Sequence, residues 1–174
     1  RRMLAELHGK ETGCSKGRGG SMHLIDLSVN FEGSTAIVGN SIPIGVGLGL
    51  SIRLKKQEDV VSCIFIGDAA VEEGIFYESV NFAIVKKLPV IFICENNLYS
   101  VYSSLDVRQP KGRKIHTMVG AMGLQTFYGD GNDISEIFTK TCKALENIKN
   151  GKGPQFLEFS TYRWREHCGP NFDN

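Results

Sequence analysis

The sequence predicts an α/β fold, in which a mostly parallel sheet is covered by helices, because apolar segments of strand length alternate with segments of helical periodicity. Residues 60–66 and 89–94 are almost wholly apolar, as expected of strands buried on both faces of a parallel sheet. Residues 71–87, which lie between them, have the apolar spacing of a helix. This alternation predicts a three-layer αβα domain.

The first third of the chain predicts two helices and one loop. Residues 1–7 resemble the middle of a helix, and residues 9–24 form a glycine-rich, basic loop. Residues 42–56 read as a second helix with Pro43 in its first turn, a favoured place for proline. Three glycines in this helix lower its propensity, so we expect close packing to compensate. They are Gly45, Gly47 and Gly49.

The last third predicts a loop, a helix and a strand. Residues 98–119 look like an irregular, basic loop. Asp133 and Glu136 form a start similar to a capping box, in which Asp caps the helix and Glu reaches back. An Asn-Gly pair ends that helix, and residues 155–159 supply a further strand. The domain is therefore expected to continue as α/β to its last strand.

Composition limits the class of protein. A chain of 174 residues with 41% hydrophobic content can form one core, so we predict a single domain over residues 1–174. The formal charge of +1 gives no nucleic-acid footprint. No apolar stretch approaches the ~20 residues that span a bilayer, and we expect neither a membrane span nor a signal peptide. Cys63 and Cys94 lie in predicted strands and are expected to be buried thiols, which favours a reducing, cytoplasmic location.

Polar residues follow both apolar strands. Gly67-Asp68-Ala69 comes directly after the first strand, and Asn96-Asn97 ends the second. Ligands of open α/β sheets bind at the carboxyl ends of the strands, so these groups should meet there. Carboxylate and amide oxygens suit Mg²⁺, which is commonly held by one or two protein groups and phosphate oxygens. We predict a magnesium–diphosphate site, and the alternative for Asp68 is a helix N-cap.

Four ordered blocks carry a resemblance to a known family. They are residues 13–23, residues 39–47, the Gly67-Asp68-Ala69 motif and residues 88–97. In this order and spacing they resemble the alpha chain of two-subunit 2-oxo acid dehydrogenases that use thiamine diphosphate, a family that includes the pyruvate and acetoin dehydrogenase components. The resemblance runs from about residue 4 to about residue 167. It implies the thiamine-diphosphate-binding fold for nearly the whole chain.

The resemblance implies roles for the residues at the predicted edge site. Asp68 and Asn97 would give side-chain oxygens to Mg²⁺, and Tyr99 would give its backbone carbonyl. Other residues of the motif would contact the cofactor; these are Gly67, Ala69 and Ala70. Ala69 stands where glycine is more usual, and alanine costs little there if the local φ is negative.

Two further segments are implicated by the same resemblance. Ala36 and Val38 would hold the aminopyrimidine ring, largely through the backbone, and the alternative is a buried strand that enters a helix. His167 would reach the diphosphate and serve as a catalytic residue, and the alternative is a solvated loop histidine. Glu166 and Cys168 replace a glycine and a serine of the family pattern. The substrate or the control of this loop is therefore expected to differ.

Charged residues outside these motifs have plainer interpretations. Glu72 and Glu73 are expected to face solvent or a partner chain, and His116 is taken to lie outside the site. The glycine-rich block reads as a structural loop at a subunit interface, because it lacks the pattern of a phosphate-binding P-loop. A basic patch is expected to be a solvated face or a docking surface for an acidic carrier domain. Its members are Arg108, Lys111, Arg113 and Lys114.

The function that the resemblance implies is that of an alpha subunit of a thiamine diphosphate-dependent 2-oxo acid or acetoin dehydrogenase. Such a subunit works in an α2β2 assembly with a beta subunit, and the acyl group passes to a lipoyl-bearing acyltransferase. The family's chains extend further on both sides, so we expect a trimmed or partly disordered alpha chain. Two alternatives stay open. One is a carboligase or transketolase-like enzyme acting on sugar precursors, and the other is a truncated, non-catalytic binding module.

Overall fold

The computed structural model describes residues 1–172 and divides into two compact units, Arg1–Ser41 and the chain from Ile42 onward. The prediction of a single domain over residues 1–174 stays a prediction. Residues 173 and 174, the end of the divergent C-terminal loop, lie outside the described residues. Within residues 1–172, none of the helices has the length and hydropathy of a membrane-spanning segment.

The helices and strands follow in chain order. The first unit contains α1 (Arg2–Leu7) and a 3-10 turn at Leu27–Val29. The helix α2 (Ser41–Leu54) leads into β1 (Ser62–Gly67), a 3-10 turn at Asp68–Glu72, α3 (Gly74–Val85) and β2 (Val90–Asn96). Then come β3 (Tyr99–Ser100), β4 (Ser103–Ser104), α4 (Leu105–Arg108), α5 (Ile115–Ala121), β5 (Gln125–Asp130), α6 (Ile134–Lys149) and β6 (Gln155–Ser160).

The main sheet has four parallel strands in the order β1-β2-β6-β5, which confirms the predicted parallel α/β fold. Its register places Ile64 beside Phe92 and Phe92 beside Phe156. The strand β5 has no predicted counterpart, because its sequence is mixed and only one of its residues, Gly129, is buried. As an edge strand it needs no continuous apolar run.

One face of the sheet carries the larger core, built with α2, α3 and α5. Phe76 of α3 packs edge-on against Phe92 and Phe156, with ring centroids 6.2 Å apart in each pair. The helix α2 lies so close that a Cβ on Gly45 would overlap Ile64, and one on Gly49 would overlap the side chain of Val90. Close packing thus explains these two glycines, whereas a Cβ on Gly47 would meet nothing.

The opposite face is covered by α6, whose Ala144 packs with Ile91 and Leu157. Over β1 this face is open, and Phe65 is 61% exposed. Cys63 points the same way and is exposed, so the prediction that it is buried is wrong. Its strand is covered on one face only. Cys94 of the central strand β2 is fully buried, as predicted.

Two predicted segments differ from the structure. The helix predicted over residues 71–87 begins only at Gly74, because Glu73 has extended backbone that separates it from the 3-10 turn. The loop predicted over residues 98–119 contains a small hairpin and two short helices. Its helix α5 buries Ile115 and Val119 in the larger core, and this tertiary burial orders a segment of weak periodicity.

The first unit is built around one buried carboxylate. Glu6 of α1 is fully buried and accepts hydrogen bonds from the backbone N–H groups of Ser15, Gly17 and Gly19 at 2.6–2.9 Å. Burial alone would raise the pKa of Glu6, but the backbone donors outweigh it and lower that pKa. The glycine-rich segment therefore has a structural role, since a Cβ on Gly13 would overlap the Glu6 carboxylate.

Candidate functional site

Asp68 lies at the carboxyl end of β1 and is 2% exposed. It opens the 3-10 turn, whose N-cap residue is Gly67, and among the described residues its carboxylate accepts no backbone N–H hydrogen bond. The N-cap interpretation of Asp68 is therefore not supported. A buried carboxylate is costly unless another charge compensates it. At this position the compensating group is the guanidinium of Arg108.

Arg108 holds two acidic groups together from the end of α4. It donates to the carboxylate of Asp68 and, at 2.6 Å, to Oε1 of Glu72, and its side chain is only 12% exposed. Gln109 donates to the same Glu72 oxygen at 2.7 Å. Glu72 and Glu73 are both exposed, as predicted, and Glu72 is also hydrogen-bonded within the chain. The sequence pattern predicts Arg108 only as a member of a basic surface patch, and its contact with Asp68 was not predicted.

The second half of the site is the turn that follows β2. The side-chain oxygen of Asn96 accepts from the N–H of Leu98, and that of Asn97 accepts from the N–H of Tyr99, both at 3.0 Å. Leu98 has a φ of 70°, a conformation that is unfavourable for a bulky residue and is concentrated at functional sites. The 3-10 turn of Asp68 lies next to both β2 and β3, so the predicted ligands from both strand ends share one edge.

Negative charge gathers at this edge. Burial raises the pKa of the Cys94 thiol well above its usual value, and the nearby charges of Glu158, Asp68 and Glu95 raise it further. Glu158 is itself buried in β6 and accepts from Asn96 Nδ2 at 2.8 Å. Glu158 was not predicted as a site residue, although a carboxylate inside an otherwise apolar strand could have indicated a buried polar role. Such an edge favours a cation.

The residues present fit a magnesium–diphosphate group. Asp68 and Asn97 offer the hard oxygen donors that Mg²⁺ prefers, and the guanidinium of Arg108 shows that a cation is accommodated against Asp68. Gly67 has ordinary extended backbone, and a Cβ there would meet nothing within 4 Å, so a ligand can approach its main chain. Ala69 is not among the residues with positive φ, and Ala70 is buried beside it. Alanine at position 69 is therefore unstrained.

The predicted Mg²⁺ site differs from a metal site that is built from side chains alone. The described residues contain no group of three or more His, Cys, Asp or Glu side chains placed to hold a metal. The predicted protein ligands of Mg²⁺ include a single carboxylate, that of Asp68. The side-chain amide of Asn97 and the backbone carbonyl of Tyr99 would be the other two. Mg²⁺ commonly binds in this way, with substrate phosphates supplying further oxygens.

Three further residues are predicted from the sequence to contact the cofactor. Ala36 and Val38 belong to the first unit, where both are exposed in a turn, so the alternative of a buried strand is wrong. His167 is exposed, and no described residue makes a hydrogen bond, an ion pair or a ring contact with it. The chain nearby is anchored, because Arg163 donates to the carbonyl of Val101 at 2.7 Å. The roles of these residues stay predictions.

Two surface cavities of the described chain are lined by residues other than those of the edge site. A surface cavity of about 300 Å³ lies in the first unit beside Arg2 and Asp26, and another of about 500 Å³ lies beside Lys111 and Lys114. Neither cavity is lined by the residues of the edge site.

The fold is that of the class of thiamine diphosphate-dependent enzymes. A protein from Mycobacterium smegmatis assigned as a thiamin diphosphate-dependent enzyme matches 76% of the chain with a TM-score of 0.58, and the match covers 24% of that protein. Transketolase from Pichia stipitis matches 74% of the chain with a TM-score of 0.63 and is covered over 20% of its length. Both are 21% identical to the chain, so they show the shared fold.

By sequence, the chain belongs to the Dehydrogenase E1 component family, whose model matches residues 1–170. It is 40% identical over 165 residues to the pyruvate dehydrogenase E1 component subunit alpha of Rickettsia felis, covering 95% of the chain and 50% of that relative. The corresponding subunit of Rhizobium meliloti is 39% identical over 168 residues, covering 96% and 47%. The resemblance in the four sequence blocks is confirmed. The chain spans about half the length of these relatives.

A chloroplastic relative extends the comparison to plants. The pyruvate dehydrogenase E1 component subunit alpha-3 of Arabidopsis thaliana is 36% identical over 172 residues, covering 96% of the chain and 40% of that relative. One relative of this chain is therefore named as chloroplastic.

Proposed function

We propose that this chain is the magnesium–diphosphate-binding part of the alpha subunit of a thiamine diphosphate-dependent 2-oxo acid dehydrogenase. The observation that carries the proposal is the buried carboxylate of Asp68, which lies at the carboxyl edge of the sheet beside the turn of Asn97 and Tyr99. The family membership and the alpha-subunit relatives support the same assignment.

In this proposal the chain's own residues bind and orient. Asp68 and Asn97 would hold Mg²⁺ through side-chain oxygens, and the carbonyl of Tyr99 would complete the protein ligands. Gly67 would leave its backbone open to the diphosphate, and the 3-10 turn after it would keep Asp68 in place. Mg²⁺ would displace Arg108 from Asp68, because two cations held against one carboxylate repel each other. Glu72 can retain Arg108 after that exchange.

Bound thiamine diphosphate would supply a carbanion equivalent that cleaves the bond next to the carbonyl group of the substrate. The relatives are named as pyruvate dehydrogenase components, which favours a small 2-oxo acid over acetoin as the substrate. A lipoyl-bearing acyltransferase as acceptor and a beta subunit in an α2β2 assembly complete the proposal. A second chain would help to enclose the cofactor, because cofactor sites usually bury most of their ligand.

The alternatives have weaker support. The match with transketolase is one of fold alone, so it does not favour a carboligase acting on sugar precursors. The alternative of a truncated, non-catalytic module rests on Ala69 and on the missing flanks. The backbone of Ala69 has no positive φ, which weakens the first of these grounds. The cytoplasmic location stays a prediction, because it depended partly on Cys63, which is exposed, and because one relative is named as chloroplastic.

Titration calorimetry of the full-length protein with thiamine diphosphate, with and without Mg²⁺, tests the proposal. We expect metal-dependent binding, which Asp68→Asn weakens by at least about tenfold, or roughly 1.4 kcal/mol. Asp130→Asn is the matched control, since Asp130 is an exposed carboxylate at the end of β5 in the same sheet. Metal-independent binding, or equal affinity in Asp68→Asn and wild type, would refute the metal assignment.

A further inference from the structure

A buried polar network lies directly behind the candidate metal site. The carboxylate of Glu158 is 4% exposed and uses both oxygens: Oε1 accepts from Asn96 Nδ2 at 2.8 Å, and Oε2 accepts from the backbone N–H of His116 at 2.8 Å. His116 Nδ1 lies 2.7 Å from the same Oε2, and its ring stacks on Tyr128 at 4.7 Å. His116 is therefore part of this network, although sequence analysis set it outside the site.

Asn96 is the link between this network and the metal-side turn. Its Nδ2 is held by Glu158, its Oδ1 accepts from the N–H of Leu98 at 3.0 Å, and its carbonyl accepts from the N–H of Thr161 at 2.9 Å. The residue is 6% exposed. These three hydrogen bonds fix the orientation of both the side chain and the main chain of Asn96.

That orientation sets the position of Asn97. Asn97 lies in the turn between Asn96 and Leu98. Leu98 has a φ of 70°, which is unfavourable and needs support from its surroundings. The bond from the Leu98 N–H to Asn96 Oδ1 provides that support. Without Glu158, the Asn96 amide could rotate, and the direction of the Asn97 side chain and of the Tyr99 carbonyl would no longer be fixed.

We propose that Glu158 is a positioning residue for the candidate metal site, acting through Asn96 and locked on its other side by His116. The inference rests on the proposed function, because it needs Asn97 and Tyr99 to be metal ligands. Outer groups that orient metal ligands generally change metal affinity by 10–100-fold when they are removed. Glu158 touches neither metal nor cofactor in this proposal.

The test uses the full-length protein in its assembled form and determines the Mg²⁺ concentration that gives half-maximal thiamine diphosphate binding. We expect Glu158→Ala to raise that concentration by about tenfold or more. Glu158→Gln retains an oxygen acceptor for Asn96 and should recover most of the loss, although it cannot bond His116 as before. With Mn²⁺ in place of Mg²⁺, the electron paramagnetic resonance spectrum of Glu158→Ala should report a changed ligand geometry.

A control separates positioning from a general loss of stability. Gln155 lies on the same strand, is fully buried and accepts from Asn147 Nδ2 at 3.1 Å, but it lies at the opposite end of β6. Gln155→Leu should lower the melting temperature and leave the Mg²⁺ dependence unchanged. Asn96→Ala should raise the Mg²⁺ requirement as Glu158→Ala does, and the double variant should add little, because both act on one contact.

The outcomes are distinguishable. If wild type binds thiamine diphosphate without any metal dependence, the proposed function fails and this inference fails with it. If wild type and Asp68→Asn behave as proposed, but Glu158→Ala and Asn96→Ala keep the wild-type Mg²⁺ dependence, the positioning role alone is refuted. A Glu158→Ala protein that does not fold is replaced by Glu158→Gln and Asn96→Ala, whose comparison tests the same contact.

Discussion

The guanidinium of Arg108 lies against the buried carboxylate of Asp68, with side chains 12% and 3% exposed. The two residues are 40 positions apart, and α4 brings Arg108 to the carboxyl end of β1. Removing one partner of a buried ion pair leaves an uncompensated charge, which is strongly destabilising. In the proposed function a metal ion can compensate the same carboxylate.

We therefore expect Arg108→Met to destabilise the metal-free protein by on the order of 3 kcal/mol, since Asp68 is left unpaired. Addition of Mg²⁺ and thiamine diphosphate should raise the melting temperature of this variant more than that of wild type. Thermal unfolding in chelator and in Mg²⁺ with cofactor provides the measurement. Arg113→Met is the control, because Arg113 is exposed and its side chain donates to Gln109 rather than to Asp68. Equal metal-induced shifts in both variants would contradict the exchange.

Much of the sheet could be predicted because its central strands are nearly continuous apolar runs. In β2, Val90, Ile91 and Phe92 are fully buried, and burial on both faces is what such a run indicates. The edge strands carry less information. In β1, Phe65 is exposed, and β5 has too little apolar sequence to predict a strand.

Some residues of the candidate site could likewise be predicted from the sequence, and others could not. Asp68 and Asn97 follow strands, and topology alone brings strand ends to one edge. Arg108 and Glu158 could not be placed, because their partners are 40 and 62 residues distant and depend on the paths of loops and on tertiary packing. Local periodicity contains no information on such contacts.

Replacing Ala69 with glycine tests whether the departure from the family motif matters. The backbone of Ala69 has no positive φ, so glycine relieves no strain and adds freedom to the unfolded chain. We expect Ala69→Gly to lower the free energy of unfolding by about 0.4–1 kcal/mol without tighter cofactor binding. Denaturant unfolding and calorimetry give the two quantities. A large gain in thiamine diphosphate affinity would show that the methyl group obstructs the cofactor.

The buried carboxylate of Glu6 predicts a pH dependence in the first unit. Its pKa is lowered below the ordinary value of 4.5, so its stabilising contribution is present above that pH. The contribution is lost as the pH falls through the lowered pKa, because the protonated form accepts the backbone hydrogen bonds less well. The hydrogen-exchange protection factors of residues 13–20, which correct for the intrinsic pH dependence of exchange, should therefore fall below about pH 4.5.

A substitution checks this assignment at neutral pH. Glu6→Gln should accelerate the same exchange at pH 7, since the amide presents one acceptor oxygen to donors that Glu6 serves with two. Glu11→Gln is the control, because Glu11 is exposed in the same loop. If Glu6→Gln leaves the hydrogen-exchange rates of residues 13–20 unchanged, other contacts hold the glycine-rich segment in place.

The last prediction concerns whether a second chain completes the site. In the proposed function, Asp68 and Asn97 bind the metal ion at the diphosphate side of the cofactor. Two glutamates near this edge already have partners within the chain, because Glu72 binds Arg108 and Glu158 binds Asn96. A second polypeptide should therefore supply the remaining groups and exclude water. We expect no turnover of a 2-oxo acid by the full-length alpha chain alone, and turnover after mixing with its beta partner. Decarboxylation with an artificial electron acceptor, for each chain and for the mixture, is the measurement. Full activity of the purified alpha chain would overturn the shared-site proposal and favour a single-chain enzyme.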